Sequence, residues 1–156
     1  MKCYQCGEDM VYRGHKHVEN VGGVRVTDAT AFAHECPKCG EAMLTDRELG
    51  AYELRAAALV LREKHPVPGS AIRYARKAMG LRQSDLARHL GCASETISRW
   101  ENGTETKQRQ SQLAIVAMLD SVRDGLVTPE QLRAASSEAS SDVEELEVLP
   151  PRTACG

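Results

Sequence analysis

Two short stretches of this 156-residue chain carry paired cysteines: "CYQCG" holds Cys3 and Cys6, and "CPKCG" holds Cys36 and Cys39. Two residues between cysteines let one tight turn aim both sulfurs at a single ion. The glycine that follows relieves backbone strain and frees an amide to face sulfur. Two such turns close a tetrahedral shell of four thiolates, a donor set that favours zinc; a rubredoxin-like iron and a redox thiol group are the alternatives. A full shell has no open position for water or substrate. One structural Zn2+ per chain is therefore expected, with its binding forming part of the folding free energy. His34, two residues before Cys36, is an alternative ligand but reads as an ordinary strand residue, as do His15 and His17. Cys92 and Cys155 fall outside this scheme, the first as a small packing residue and the second as a thiol in the C-terminal segment.

The other stretch with chemical promise is "TISRWENG", Thr96 to Gly103, which contains the only tryptophan. At helical spacing Ile97 and Trp100 lie on one face and can pack on Leu86 and Leu90. The opposite face carries Ser94, Glu95, Ser98 and Arg99, short or forked polar groups suited to base edges in a DNA major groove. A large buried ring would fix the angle at which that row is presented. A helical protein–protein module with a polar outer face has the same periodicity and is the competing reading.

The surrounding elements fit this picture. Ile72, Ala75 and Met79 mark one helix before Gly80, and Leu86 and Leu90 mark a second that ends at Gly91. After the turn Gly91-Cys92-Ala93 a third helix is expected over 94–102, so a glycine-containing turn joins two short helices as in a helix-turn-helix. Gly103 suits a left-handed helix cap. Between the cysteine pairs, a Val- and Thr-rich stretch with a Gly22-Gly23 turn signal predicts two or three short strands. Thr45 and Glu48 form a capping box for a helix with Leu49, Tyr52, Ala56, Leu59 and Val60 on its apolar face. "HPVPG" (65–69) breaks that helix. Thr128, Pro129 and Gln131 open a last short helix. The acidic, Ser-rich stretch beyond it buries too little apolar surface to fold and is expected to be disordered.

The fold class expected is α+β. A small zinc-binding β domain with a following helix (1–64) leads through a linker (65–69) to an all-α helix-turn-helix domain (70–135), followed by an acidic tail (136–156). The net charge of −2 is unevenly spread: residues 70–123 carry nine Lys/Arg against five Asp/Glu, and residues 124–156 two against seven. A locally basic block followed by an acidic one is the footprint of a modest nucleic-acid binder, although a solvated surface would look similar. No apolar run reaches the roughly 20 residues that cross a bilayer, and "MKCYQCGEDM" lacks the apolar core of a secretory signal. Both point to the reducing cytosol, with no membrane partner. No Ser/His/Asp or Cys/His set stands at catalytic spacing, His65 and His89 are isolated, and no enzyme is expected.

"LRQSDLARHLG…TISRWENG" resembles the Cro/XRE-type phage-repressor helix-turn-helix. Together with the leading "CYQCG…CPKCG" ribbon, residues 1–122 are similar to the MqsA (YgiT) family of antitoxins and regulators, and the ordered pair of motifs is far more specific than either alone. The resemblance implies that Arg99 reads guanine and that Gln83 touches a phosphate or a base, with Arg82, Lys107 and Arg109 on the DNA backbone. Such a contact by arginine is worth about 1–3 kcal/mol of discrimination. Relatives carry Asn where this chain has Glu95, a carboxylate that would prefer a cytosine amino group, so their operator does not transfer. Ala93 stands where many relatives cap the helix with Ser or Thr. The resemblance further implies a homodimer on a palindromic operator, an RNase-type toxin held by the zinc domain, and repression of the chain's own operon. A stand-alone regulator with no toxin is the alternative.

Overall fold

The structure is a computed structural model and describes residues 1–134. Five strands come first: β1 (Val11–Gly14), β2 (His17–Val21), β3 (Val24–Asp28), β4 (Phe32–Glu35) and β5 (Ala42–Met43). Six helices follow: α1 (Asp46–Glu63), α2 (Gly69–Ala78), α3 (Gln83–Leu90), α4 (Ser94–Glu101), α5 (Arg109–Arg123) and α6 (Pro129–Ala134). The α+β class is as expected, but four strands, not two or three, lie between the cysteine pairs. They form two antiparallel sheets. One has the order β1-β4-β5, with Val11 opposite Glu35, and the other is the β2-β3 hairpin. The hairpin turns at Gly22 and Gly23, both at positive φ (58° and 89°).

The described residues form two apolar clusters. The smaller holds Cys3, Met10 and Cys36, with Cys6 and Met43 packed against them. The larger runs from Val21 and Val26 of the hairpin through α1 and α2 to Ile97, Trp100, Ile115 and Leu119. Helix α1 packs most extensively on α5 and next on α2. Residues 65–69 thus connect two helices that share one apolar cluster, with α1 packed on both α5 and α2.

The cause lies in which face of α1 is apolar. Thr45 caps the helix with the expected reciprocal bonds to Glu48. The buried residues are Tyr52, Leu54, Ala56, Ala57, Ala58, Val60 and Leu61, whereas the expected face members Leu49 and Leu59 are exposed. A run of small alanines allows α1 to be covered on two sides, by the hairpin and by α5, so its stripe is wider than one periodic row.

Polar side chains lock this packing. The last turn of α1 has orphan carbonyls, as any helix end does. Gln112 of α5, wholly buried, donates its amide to the carbonyls of Leu61 and Lys64, and His65 Nδ1 lies 3.0 Å from its Oε1. Arg109 adds bonds to the carbonyls of Leu61, Arg62 and Lys64. Thr128 and Gln131 form the expected cap of α6. Leu132 of α6 enters the core, its carbonyl lies 2.6 Å from His89 Nε2, and Arg133 donates to the carbonyl of Gly80. The acidic stretch 136–156, with Cys155, lies outside the described residues.

Candidate metal centre and nucleic-acid interface

The two cysteine turns are the same device in three dimensions. In the first, the Cys3 amide donates to the Glu8 carbonyl and the Gly7 amide to the Cys3 carbonyl; in the second, the Cys36 amide donates to Glu41 and the Gly40 amide to Cys36. Gly7 and Gly40 sit at φ 73° and 75°, a region that side chains rarely occupy. Strands β1, β4 and β5 bring the turns face to face. The four sulfurs lie within 4.8 Å of one another, with Cys3–Cys39 at 3.6 Å, Cys6–Cys36 at 3.4 Å and Cys6–Cys39 at 3.7 Å. A tetrahedron with zinc–sulfur bonds of about 2.3 Å has edges of about 3.8 Å, so the cluster is already close to the size of the shell the ion requires. Amides of Cys39 and Lys38 face the Cys36 sulfur and hold its thiol down to about 7, which favours the ligating form. The cluster can hold a metal of the zinc-ribbon type, and no other such group of Cys, His and carboxylates occurs among the described residues.

The histidines serve elsewhere. His15 pairs with Glu35 and His17 with Glu19, each at 2.9 Å. His34 meets Tyr12 with its ring tilted by 46°, the centroids 4.9 Å apart.

Helices α3 and α4 form the helix-turn-helix. Gly91 ends α3 in the left-handed conformation, at φ 66° and ψ 34°. Ala93 occupies the cap position of α4 without a side-chain bond, and Ser94 does not replace it. Cys92 in the turn is half-buried against the core. Below α4, Ile97 is fully buried and Trp100 only 7 % exposed. The indole Nε1 is buried with no acceptor among the described residues.

On the outer side Glu95 and Arg99 are exposed and Ser94 and Ser98 half-buried. The Arg99 guanidinium lies 3.2 Å from Glu105, in the loop after α4, and Asn102 reaches Ser98. The backbone amide and hydroxyl of Thr104 both donate to the Arg99 carbonyl, which fixes the start of that loop.

Two buried carboxylates hold the unit together, and the sequence reading missed both. Glu101, 4 % exposed, accepts from Arg76, Arg73 and Gln83. Burial alone would raise its carboxyl; Arg76, then Gln83 and Arg73, outweigh that and hold it below the ordinary range. Asp85 is fully buried between Arg82 and Arg88 and receives the Arg82 amide. The Arg82 side chain, with its amide and Arg88 behind it, holds the Asp85 carboxyl down to about 2. An acid three residues into a short helix was the available signal for Asp85. Nothing local marks Glu101.

The residues expected on the DNA backbone divide. Arg82 is well exposed beside α3, and Gln83 is half-buried with its amide on Glu101. Lys107 and Arg109 both bond main-chain carbonyls of the protein itself. Lys107 is only 4 % exposed and donates to the Val67 carbonyl at 3.1 Å, and burial lowers its pKa. Arg109 is spent on the end of α1. Both lie beyond the recognition helix in sequence, but the loop carries them inward.

A cysteine-cluster ribbon joined to a helix-turn-helix defines a metal-binding DNA regulator. The chain belongs to the MqsA antitoxin family: the family model described as "Antitoxin component of bacterial toxin-antitoxin system, MqsA" matches residues 1–128. No curated protein matches the chain. Membership makes it a DNA-binding antitoxin or regulator, and not a catalyst. No helix among the described residues is long and apolar enough to cross a membrane.

Proposed function

We propose that this chain is the antitoxin and autorepressor of a type II pair, reading a palindromic operator as a homodimer and holding an RNase-type toxin through its zinc-bound ribbon. The carrying observation is the two-sidedness of α4, with Ile97 and Trp100 buried and Glu95 and Arg99 open to solvent. Arg99 reads guanine by paired donors, while Ser94, Glu95 and Ser98 touch neighbouring base edges. Arg82 and Gln83, at the start of α3, set register on the backbone. Cys3, Cys6, Cys36 and Cys39 hold one structural zinc, which stabilises the ribbon and leaves no coordination position for chemistry.

One feature favours an antitoxin over a stand-alone regulator. All four residues of edge strand β1 are exposed, and Tyr12 stacks on Phe32 at 5.5 Å with both rings about half open. An apolar patch beside an unpaired strand edge is a surface that natural proteins cover with a partner. Selection from a random duplex pool should return a palindrome with half-sites about one helical turn apart. Co-expression with the product of the neighbouring gene should give a complex that Tyr12→Ser together with Phe32→Ser abolishes. A stable chain that selects DNA but captures no neighbouring product would leave the stand-alone reading.

A further inference from the structure

Helix α2 touches both the β2-β3 hairpin and the end of α4, and it meets them on different faces. Residues four apart in a helix share a face. Gly69 and Arg73 form one such pair, and both meet the end of α4. Gly69 has no Cβ, and one placed there would overlap the carbonyl oxygens of Trp100 and Glu101. Arg73 reaches Glu101 and, at 3.0 Å, the Asn102 side chain. Ser70 and Tyr74 form the next pair, about 100° round the helix axis, and both meet the hairpin. The Tyr74 hydroxyl donates to Glu19 of β2 at 3.0 Å. Gly22, in the hairpin turn, approaches so closely that a Cβ on it would lie 2.8 Å from Ser70 Oγ and 2.4 Å from the Ala71 amide nitrogen.

Neither approach has slack. The atoms that face Gly22 include the main chain of Ala71, and those that face Gly69 are main-chain carbonyls, so no change of rotamer absorbs a displacement. Val21, beside Gly22, is fully buried in the larger cluster, as are Ala71 and Ile72 of α2. A shift of the hairpin turn is therefore passed to the first two turns of α2, and from there to the end of α4. Ser94, Glu95, Ser98 and Arg99 are all carried by that helix of eight residues, which is about 12 Å long. A small tilt at its end displaces the whole row.

We propose that Gly22 is a positioning residue for operator reading: the hairpin turn sets, through α2, the angle at which α4 is presented, although β2 and β3 supply none of the reading row. The proposal rests on α4 being the helix that reads the operator.

The test compares Gly22→Ala with Gly23→Ala in the full-length, zinc-loaded chain. Both put a Cβ at positive φ in the same turn, but a Cβ on Gly23 meets nothing within 4 Å. Turn strain is thus common to the pair, and the push on α2 is not. Trp100, the only tryptophan, lies in α4 and reports on that helix. Its indole N–H resonance should move in Gly22→Ala and stay near the wild-type position in Gly23→Ala. The ratio of operator to random-duplex affinity should fall at least about fivefold in Gly22→Ala, the lower end for one good base contact, and hold in Gly23→Ala. Mere destabilisation leaves the ratio alone, because both affinities scale with the folded fraction. Should Gly22→Ala not fold, Tyr74→Phe takes its place, since it cuts the second hairpin tie and adds no bulk. Its ratio should fall about twofold, and an unchanged ratio there overturns the proposal. With Arg99→Ala lowering the ratio, a Gly22→Ala ratio equal to that of Gly23→Ala overturns it, as does a Trp100 resonance that moves equally in both glycine variants or in neither. If Trp100 moves in Gly22→Ala alone while the ratio holds both there and in Arg99→Ala, the hairpin positions α4 as stated and the reading of α4 as the operator helix is what fails.

Discussion

Gly69 opens α2 at the place where that helix meets the end of α4. A Cβ at this position would lie 2.1 Å from the Trp100 carbonyl oxygen and 2.5 Å from that of Glu101. These are main-chain atoms, so no side chain can swing aside to make room. Restoring ordinary contact near 3.2 Å requires the two helices to part by about 1 Å, an overpacking strain of about 1–3 kcal/mol in well-packed regions. Helix propensity alone predicts the opposite, since Gly→Ala usually gains about 0.5–1 kcal/mol where the backbone permits. Gly69→Ala is therefore expected to destabilise by about 1–3 kcal/mol net, lowering the urea midpoint by roughly 1 M with an unchanged slope. The displaced segment is the end of the recognition helix, so operator affinity should fall more than affinity for random duplex. An equal or higher urea midpoint would refute the packing argument.

Three further outcomes follow from the buried polar groups and the two clusters. Asp85 is depressed in the folded state, so its contribution is fully present above its unfolded value near 3.9 and is lost as pH falls through about 2. Asp85→Asn should accordingly cost roughly 2 kcal/mol at neutral pH, and the gap to wild type in pH-dependent denaturation should close between pH 4 and 2. A gap independent of pH would contradict the assignment. Gln112→Leu leaves the Lys64 carbonyl without its Gln112 donor and weakens the hold on Leu61, for a loss of about 2–3 kcal/mol in urea unfolding; a change below about 0.5 kcal/mol would count against this clamp. Strong chelation should abolish hydrogen-exchange protection around Cys3, Met10 and Cys36 but spare the β2-β3 hairpin and the helices, because Val21 and Val26 belong to the other cluster. Loss of protection in the hairpin at the same chelator concentration would show that the clusters are not independent.

The features legible in the sequence are those with a short-range physical signature. Paired cysteines followed by glycine, the Thr45–Glu48 and Thr128–Gln131 capping boxes, the Gly22-Gly23 turn and the glycine-ended α3 all announce themselves within about five residues, and the structure has each of them. What the sequence hid is long-range. The side of α1 that would be covered depended on α5, roughly 60 residues away, and the alanine run 56–58 is compatible with either face. Lys107 and Arg109 look like free cations beside a recognition helix, but Lys107 turns inward to the Val67 carbonyl ahead of α2, and Arg109 to the open carbonyls at the end of α1. Glu101 reads locally as a helix-end charge, and its three partners come from α2 and α3. At the site, the outward row on α4 was readable from periodicity; the carboxylates and the glycine contact that hold its angle were not.

The most direct test of the account is the sequence preference of Arg99→Ala, measured as the ratio of operator to random-duplex affinity in competition mobility shifts. The side chain is exposed and, among the described residues, pairs with the exposed Glu105, so the variant should melt like wild type. The account predicts that the ratio falls by roughly 5- to 150-fold per half-site, the equivalent of about 1–3 kcal/mol, while weak, salt-sensitive binding persists. A folded Arg99→Ala chain with an undiminished ratio would mean that α4 does not read the operator through this row.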